Sequence, residues 1–145
     1  MPRAAPAFCG VLLLIRKLLE HWITRDLLGL KSYSPESLYV HIAACNSPWA
    51  RVLREKRGLA AFAVDLSEVG KLYKDLSYYR VADATSTSFE NSSVSGASLQ
   101  CAYEMFTGDN DTQLIKELNR IWKPGGKAIV TPLYMHTHYC AYSTP

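Results

Sequence analysis

Residues 37–57 read SLYVHIAACNSPWARVLREKR. Ser37 to Ala44 is a short, nearly continuous apolar run with β-branched members, the pattern of a strand buried on both faces. Cys45-Asn46-Ser47-Pro48 breaks that run. Ser47 is a good N-cap, and Pro48 suits a first helical position. Trp49 to Arg57 then reads as a helix with Trp49, Val52 and Leu53 inward and charges outward, closed by Gly58. A buried strand, a turn of small residues and a helix in immediate succession predict the start of a βαβ unit.

The segments downstream repeat the alternation. Ala60 to Val64 predicts a second strand ending on Asp65, and residues 66–76 a weaker helix or loop. Tyr78 to Val81 predicts a third strand ending near Asp83. Residues 85–96, rich in Ser, Thr, Asn and Gly, read as loop. Gly96 to Ala102 predicts a fourth strand of small residues. Asp109 or Asp111 can cap a helix running through Trp122, with an apolar stripe of Leu114, Ile115, Leu118, Ile121 and Trp122. Lys123-Pro124-Gly125-Gly126 stops it, and Lys127 to Tyr134 predicts a fifth strand. The expected fold is therefore α/β: a Rossmann-like three-layer sandwich with a mainly parallel sheet of about five strands and right-handed crossovers.

Upstream, Leu14, Leu18 and Trp22 recur at helical spacing, as do Leu19 and Ile23, so residues 8–28 predict one amphipathic helix. Packing of its apolar stripe on the domain is the expected role, with peripheral membrane contact the lesser reading. The apolar run Phe8–Ile15 is too short to span a bilayer, and Arg16-Lys17 continue the helix where a signal peptide would have a cleavage site. Residues 1–35 thus form an N-terminal helix and connector, and residues 36–145 one domain.

The whole chain has 145 residues, 48% of them apolar and 20% charged, with a net charge of +3. That balance excludes collagen-like, coiled-coil and disordered classes and gives no strong nucleic-acid signal. The charge is uneven: residues 1–57 hold 9 basic and 4 acidic side chains. Four cysteines without a CxxC pair suggest reduced thiols and a cytoplasmic protein. His136, His138 and Cys140 would share one face of a strand but lack a fourth ligand, so no metal is expected.

In open parallel sheets the ligand site lies beyond the carboxyl ends of the strands. Ala43-Ala44-Cys45-Asn46-Ser47 is a small-residue turn leading into a helix N-terminus, suited to close backbone approach and to an anionic group. Asp65 follows 20 residues after Cys45, an offset that suits hydrogen bonds from ribose hydroxyls. Asp83-Ala84 stands where a base edge would lie. Together they describe a nucleoside-bearing ligand across the strand ends.

Four segments resemble the class I S-adenosylmethionine-dependent methyltransferases of the type 11 kind. They are Val40 to Ser47 as motif I, Ala63-Val64-Asp65-Leu66-Ser67 as the ribose-acid motif, Val81-Ala82-Asp83-Ala84 on the adenine side, and Leu118 to Lys127 with its R-I-W-K-P-G-G signature. The likeness covers about residues 36–134. It implies S-adenosylmethionine as cofactor, held by His41, Ala43, Ala44, Cys45, Asn46, Asp65, Leu66, Asp83, Ala84 and Cys101. It also implies an acceptor site after the fourth strand, where Glu104 is the candidate base or acceptor-orienting group and Tyr103 and Phe106 wall the pocket.

The sequence departs from the pattern in two places. Motif I of the family opens with an acidic residue and runs Gly-x-Gly-x-Gly. Here His41 takes the acidic position, and Ala43, Cys45 and Ser47 take the glycine positions. A Cβ there opposes positive φ and close approach. The family's last two strands also find no counterpart after Tyr134, leaving strand five an edge suited to self-association. Two expectations follow: methyl transfer to a small-molecule or unidentified acceptor, or an inactive methyltransferase-like binding module or remnant that needs a partner.

Overall fold

The computed structural model describes residues 7–45, 47–66 and 77–131. Its elements are α1 (Ala7–Leu27), a 3-10 turn (Leu30–Ser32), β1 (Leu38–Ile42), α2 (Trp49–Arg57), β2 (Ala60–Asp65), β3 (Tyr79–Val81), β4 (Val94–Gln100), a 3-10 turn (Tyr103–Met105), α3 (Asn110–Ile121) and β5 (Trp122–Thr131). The five strands pair in the order β3-β2-β1-β4-β5, and every pair is parallel. The order reverses between β1 and β4, and a crevice opens there at the strand ends.

β1 is central and buried on both faces, which is why it lacks polar alternation. On one face Tyr39 packs with Trp49, Leu53, Leu59, Ala61 and Ala63 under α2. On the other, Val40, Ile42, Val64 and Leu99 pack under Leu114, Leu118 and Ile121 of α3. Each of those three α3 side chains is 1% exposed or less, worth roughly 1.5–3 kcal/mol in burial apiece. The Tyr39 hydroxyl contacts the Ser98 hydroxyl and accepts the Trp49 indole N–H at 2.9 Å, so the polar tip of a buried ring is satisfied. Burial raises its pKa well above the ordinary tyrosine value.

Three expectations are revised. β4 begins at Val94, two residues early, and its Gly96 lies against the Tyr33 ring. Trp122 leaves α3 and opens β5, pairing with Val94 before Lys123–Gly126 bulge out and pairing resumes at Lys127 with Gly96. The bulge turns on Gly125 at φ 80°. The basic side chains of α2, expected to point outward, are not all solvated: Arg54 donates to the Ala61 carbonyl at 3.3 Å, and Arg57 to those of Leu30 and Lys31 at 3.4 and 3.3 Å.

The orientation of α1 differs most from expectation. Its sheet-facing side chains are Glu20 and Thr24, 7% and 0% exposed. Thr24 Oγ1 accepts from Gln100 Nε2 at 3.1 Å, and Glu20 Oε1 accepts from Cys101 Sγ at 3.2 Å. His21 stacks on Trp49 with ring centroids 4.5 Å apart. Leu18, Leu19 and Trp22, expected to pack on the domain, are each more than half exposed. Tyr33 bonds the Ser95 carbonyl at the start of β4, so the path from Tyr33 back to Glu20 climbs β4 from Ser95 to Cys101. α1 is therefore antiparallel to β4, and its residues before Glu20 continue past the carboxyl ends of the strands. No helix among the described residues is long and apolar enough to cross a membrane.

Two expectations fall outside the described residues: any helix over 67–76 and the His136, His138, Cys140 stretch.

Candidate functional site

The site starts where β1 ends. Beyond Ile42 the backbone turns left-handed at Ala43 (φ 50°) and again at Cys45 (φ 46°). Between them the Ala44 N–H donates to the Val64 carbonyl at 3.1 Å, which ties the turn to β2. Beyond β4, Cys101 is left-handed too (φ 54°), while its N–H donates to Thr131 of β5 at 2.6 Å. Left-handed backbone costs an L-residue roughly 1–2 kcal/mol. Four non-glycine described residues adopt it, and three of them, Ala43, Cys45 and Cys101, border one cleft. Strain of this kind persists where the surrounding hydrogen bonds impose it, and it clusters at functional sites.

Asp65 closes the turn. Its Oδ2 accepts the Cys45 N–H at 2.5 Å, and its Oδ1 accepts the Leu66 N–H at 2.7 Å. A carboxylate offers about four acceptor positions, so two remain for a ligand. Asp83 Oδ1 accepts both the N–H and the hydroxyl of Thr85, at 2.8 and 2.7 Å, and so shapes the turn after β3.

The cleft these turns enclose has a volume of about 370 Å³, within the range of small-molecule sites. Ala43 and Cys45 come from the β1 turn, Asp65 and Leu66 from β2, and residues 82–85 from the β3 turn. Cys101, Ala102, Met105, Phe106 and Asn110 complete the far wall. Among the described residues, Asp65 and Asp83 are the charged side chains on this lining, and both attract a cation.

Of the residues singled out from sequence, Ala43, Cys45, Asp65, Leu66, Asp83, Ala84 and Cys101 meet at this cleft. His41 and Ala44 do not border it: they are 1% and 3% exposed within the sheet and its core. Asn46 lies outside the described residues. Tyr103 packs on the α3-side core and Glu104 is exposed on the same 3-10 turn; neither lines the cleft. Phe106, expected to wall the pocket, does line it, and Met105 stands beside it in place of Glu104. Thr85 and Asn110 were not anticipated, since each is an ordinary turn or helix-start residue in sequence. For Asn110 the available signal was its place at the first turn of a helix following strand four.

The model of the family described as "Methyltransferase domain" matches residues 40–130, well over half of the chain. Geranyl diphosphate C-methyltransferase from Streptomyces coelicolor, solved with Mg2+, geranyl diphosphate and S-adenosyl-L-homocysteine, is similar with a TM-score of 0.63 and 16% identity over 79% of this chain and 45% of that one. Phosphoethanolamine N-methyltransferase 2 of Haemonchus contortus, solved with S-adenosyl-L-methionine, gives a TM-score of 0.58 and 22% identity over 77% and 27%. A Haloferax volcanii putative methyltransferase complex with the Trm112 activator also gives 0.58, at 22% identity over 77% and 52%. The chain thus spans about half of these relatives or less, and at such identities the likeness is one of fold. No curated protein sequence matches it significantly.

Proposed function

The chain belongs to the methyltransferase domain family, and from that premise we propose that it binds S-adenosylmethionine in the strand-end cleft and methylates a small acceptor. The bond between the Cys45 N–H and Asp65 is the observation that carries this reading. It holds the β1 turn in a glycine-like path although no glycine is present, so the backbone still leaves room for a nucleoside at the strand ends.

The lining fits such a cofactor. Asp65 keeps acceptor positions for ribose hydroxyls, and Ala82 and Ala84 leave a thin wall for the base. Asp65 and Asp83 suit the positive charge of a sulfonium and an ammonium group. When bound, S-adenosylmethionine supplies a methyl carbon open to in-line displacement by an acceptor's electron pair, with the thioether leaving. The residues then act chiefly by positioning. Ala102, Met105 and Phe106 hold the acceptor and exclude water. Glu104, exposed on the turn that presents Met105, orients the acceptor or takes its proton where one must be lost. Tyr103 anchors that turn on the core. A cytoplasmic setting fits the exposed free thiol of Cys45.

A second reading, a cofactor-binding module without catalysis, draws on the absence of Glu104 and Tyr103 from the cleft lining. Self-association through β5, outermost among the described strands, belongs to the same reading.

Calorimetric titration with S-adenosylmethionine and S-adenosylhomocysteine tests the proposal. Saturable one-site binding supports it, and no binding by a folded chain overturns it. Binding without turnover over an acceptor screen selects the second reading.

A further inference from the structure

At the amino ends of the strands, opposite the cleft, we propose that a second pocket binds a small phosphomonoester. It has a volume of about 280 Å³ and lies between the turn that follows α1 and the bulge of β5. Leu28, Ser32 and Tyr33 form one wall, Ser95 of β4 the base, and residues 123–127 the other wall.

Local packing builds this cavity. Residues 123–126 leave the ladder between the Val94–Trp122 and Gly96–Lys127 pairs, which separates that stretch of β5 from β4. Gly96 has no side chain, and a Cβ there would run into the Tyr33 ring and hydroxyl. The ring therefore lies against the strand, and its hydroxyl donates to the Ser95 carbonyl at 3.0 Å. The turn is held from behind: Arg57 of α2 donates to the carbonyls of Leu30 and Lys31, and the Ser32 hydroxyl to that of Gly29 at 2.8 Å. A pocket whose walls are already tied down loses little to ordering when a ligand enters.

The lysines decide the class of ligand. Among the described residues, Lys123 and Lys127 are the charged side chains on this lining, and neither is in an ion pair. Asp26, two residues before Leu28, is taken up by Arg25 at 2.8 Å. The hydroxyl protons of Ser32 and Tyr33 are spent on carbonyls, so the side-chain donors left are the two ammonium groups and the Ser95 hydroxyl. Two cations with no carboxylate between them match the near-double charge of a phosphomonoester at neutral pH, and lysine meets phosphate as a point charge. The volume falls just below the roughly 300 Å³ at which small-molecule pockets begin, so the ligand is compact. The strand-end cleft has the opposite sign, with Asp65 and Asp83, and lies past Cys101, roughly 20 Å up β4 from Ser95. The phosphate site therefore does not rest on the reading of that cleft.

The test is calorimetric titration of the full chain with glycerol 3-phosphate at constant ionic strength. Saturable one-site binding that weakens by about tenfold or more in Lys123→Gln/Lys127→Gln, with an unchanged circular dichroism spectrum, supports the site. Both lysines are exposed, so the fold does not depend on them. Lys116→Gln/Arg80→Gln removes the same charge from α3 and β3 and is expected to leave the affinity unchanged; an equal loss there means general attraction and overturns the pocket. No saturable binding, or equal binding by the Lys123→Gln/Lys127→Gln chain, also overturns it. Affinity is expected to rise as the second phosphate proton leaves near about pH 6, and a flat profile overturns the dianion. Tighter binding of a short RNA, lost in the same variant, overturns the small-ligand class.

Discussion

Cys45 and Asp65, 20 residues apart, are joined by a 2.5 Å bond from the backbone N–H of the first to the carboxylate of the second. It links the turn after β1, which borders the switch point beside β4, to the end of the neighbouring strand β2. One carboxylate thereby supports the turn while keeping acceptor positions open toward the cleft.

Asp65→Ala removes both functions. Cofactor affinity is expected to fall by about 100-fold, in keeping with the loss of charge-assisted hydrogen bonds worth roughly 1.5–3 kcal/mol each. Asp65→Asn retains one acceptor oxygen and is expected to lose less. Calorimetry reads both, with circular dichroism to show that each variant is folded. Unchanged affinity in Asp65→Ala would remove the ribose role.

Glycine at the left-handed positions should stabilise the chain. Relief of roughly 1–2 kcal/mol of backbone strain outweighs the roughly 0.5–1 kcal/mol of extra chain entropy that glycine loses on folding. Ala43→Gly and Cys45→Gly are each expected to raise stability by about 0.5–1 kcal/mol and to raise cofactor affinity. The check is a higher denaturant midpoint at constant slope.

Arg120 and Glu117 clamp the loop before β4 to α3. Arg120 meets Glu117 Oε2 through Nε at 2.8 Å and donates to Phe89 O at 2.9 Å and Asn91 Oδ1 at 2.7 Å, while the Thr87 N–H donates to Glu117 Oε1 at 2.8 Å. Arg120→Ala leaves the Glu117 carboxylate without its cation and is expected to lower the denaturant midpoint at constant slope. Arg120→Lys keeps the charge but not the planar fork, so it should recover only part.

The same pair sets a pH response. The Arg120 guanidinium, aided by the Thr87 hydrogen bonds, holds the Glu117 carboxyl below the usual carboxylate range. A depressed folded-state pKa contributes stability above the unfolded value and loses it as pH falls through the folded one. Stability is therefore expected to drop below about pH 4, near the unfolded value for glutamate. Arg120→Ala should flatten that drop, read by denaturant titration at stepped pH.

Gly126→Ala tests the bulge in β5. A Cβ there would stand 2.9 Å from the Lys123 carbonyl and 3.1 Å from that of Val94, both backbone atoms with little room to move. A loss of about 1–3 kcal/mol is expected, the usual range for overpacking. Retained stability would mean that the strand resumes by another path.

Local pattern made β1, α2 and the inward Leu114, Leu118 and Ile121 of α3 legible, because each is decided by neighbours three or four residues away or by immediate alternation, while Ile115 of the same expected stripe is 47% exposed. The strand-end positions of Asp65 and Asp83 were legible for the same reason. The facing of α1 was not. Leu18 and Trp22 have the spacing of a core stripe, yet Glu20 and Thr24 take the inner side because Cys101 and Gln100, 81 and 76 residues distant, offer them hydrogen bonds. Arg54 and Arg57 likewise read as surface charge until the carbonyls of Ala61, Leu30 and Lys31 come within reach. At the site, a one-residue difference separates Glu104 from Met105, and only the geometry of the 3-10 turn decides which of them borders the cleft.

The His21 ring lies 4.5 Å from that of Trp49, at an interplanar angle of 6°. An indole so covered emits from a dry environment, and separation of α1 from α2 would wet it. Trp49 is in this sense a fluorophore already installed at the joint between the N-terminal helix and the sheet. With Trp22 and Trp122 replaced by Phe, red-shifted emission ahead of global unfolding would time the release of α1 without any label.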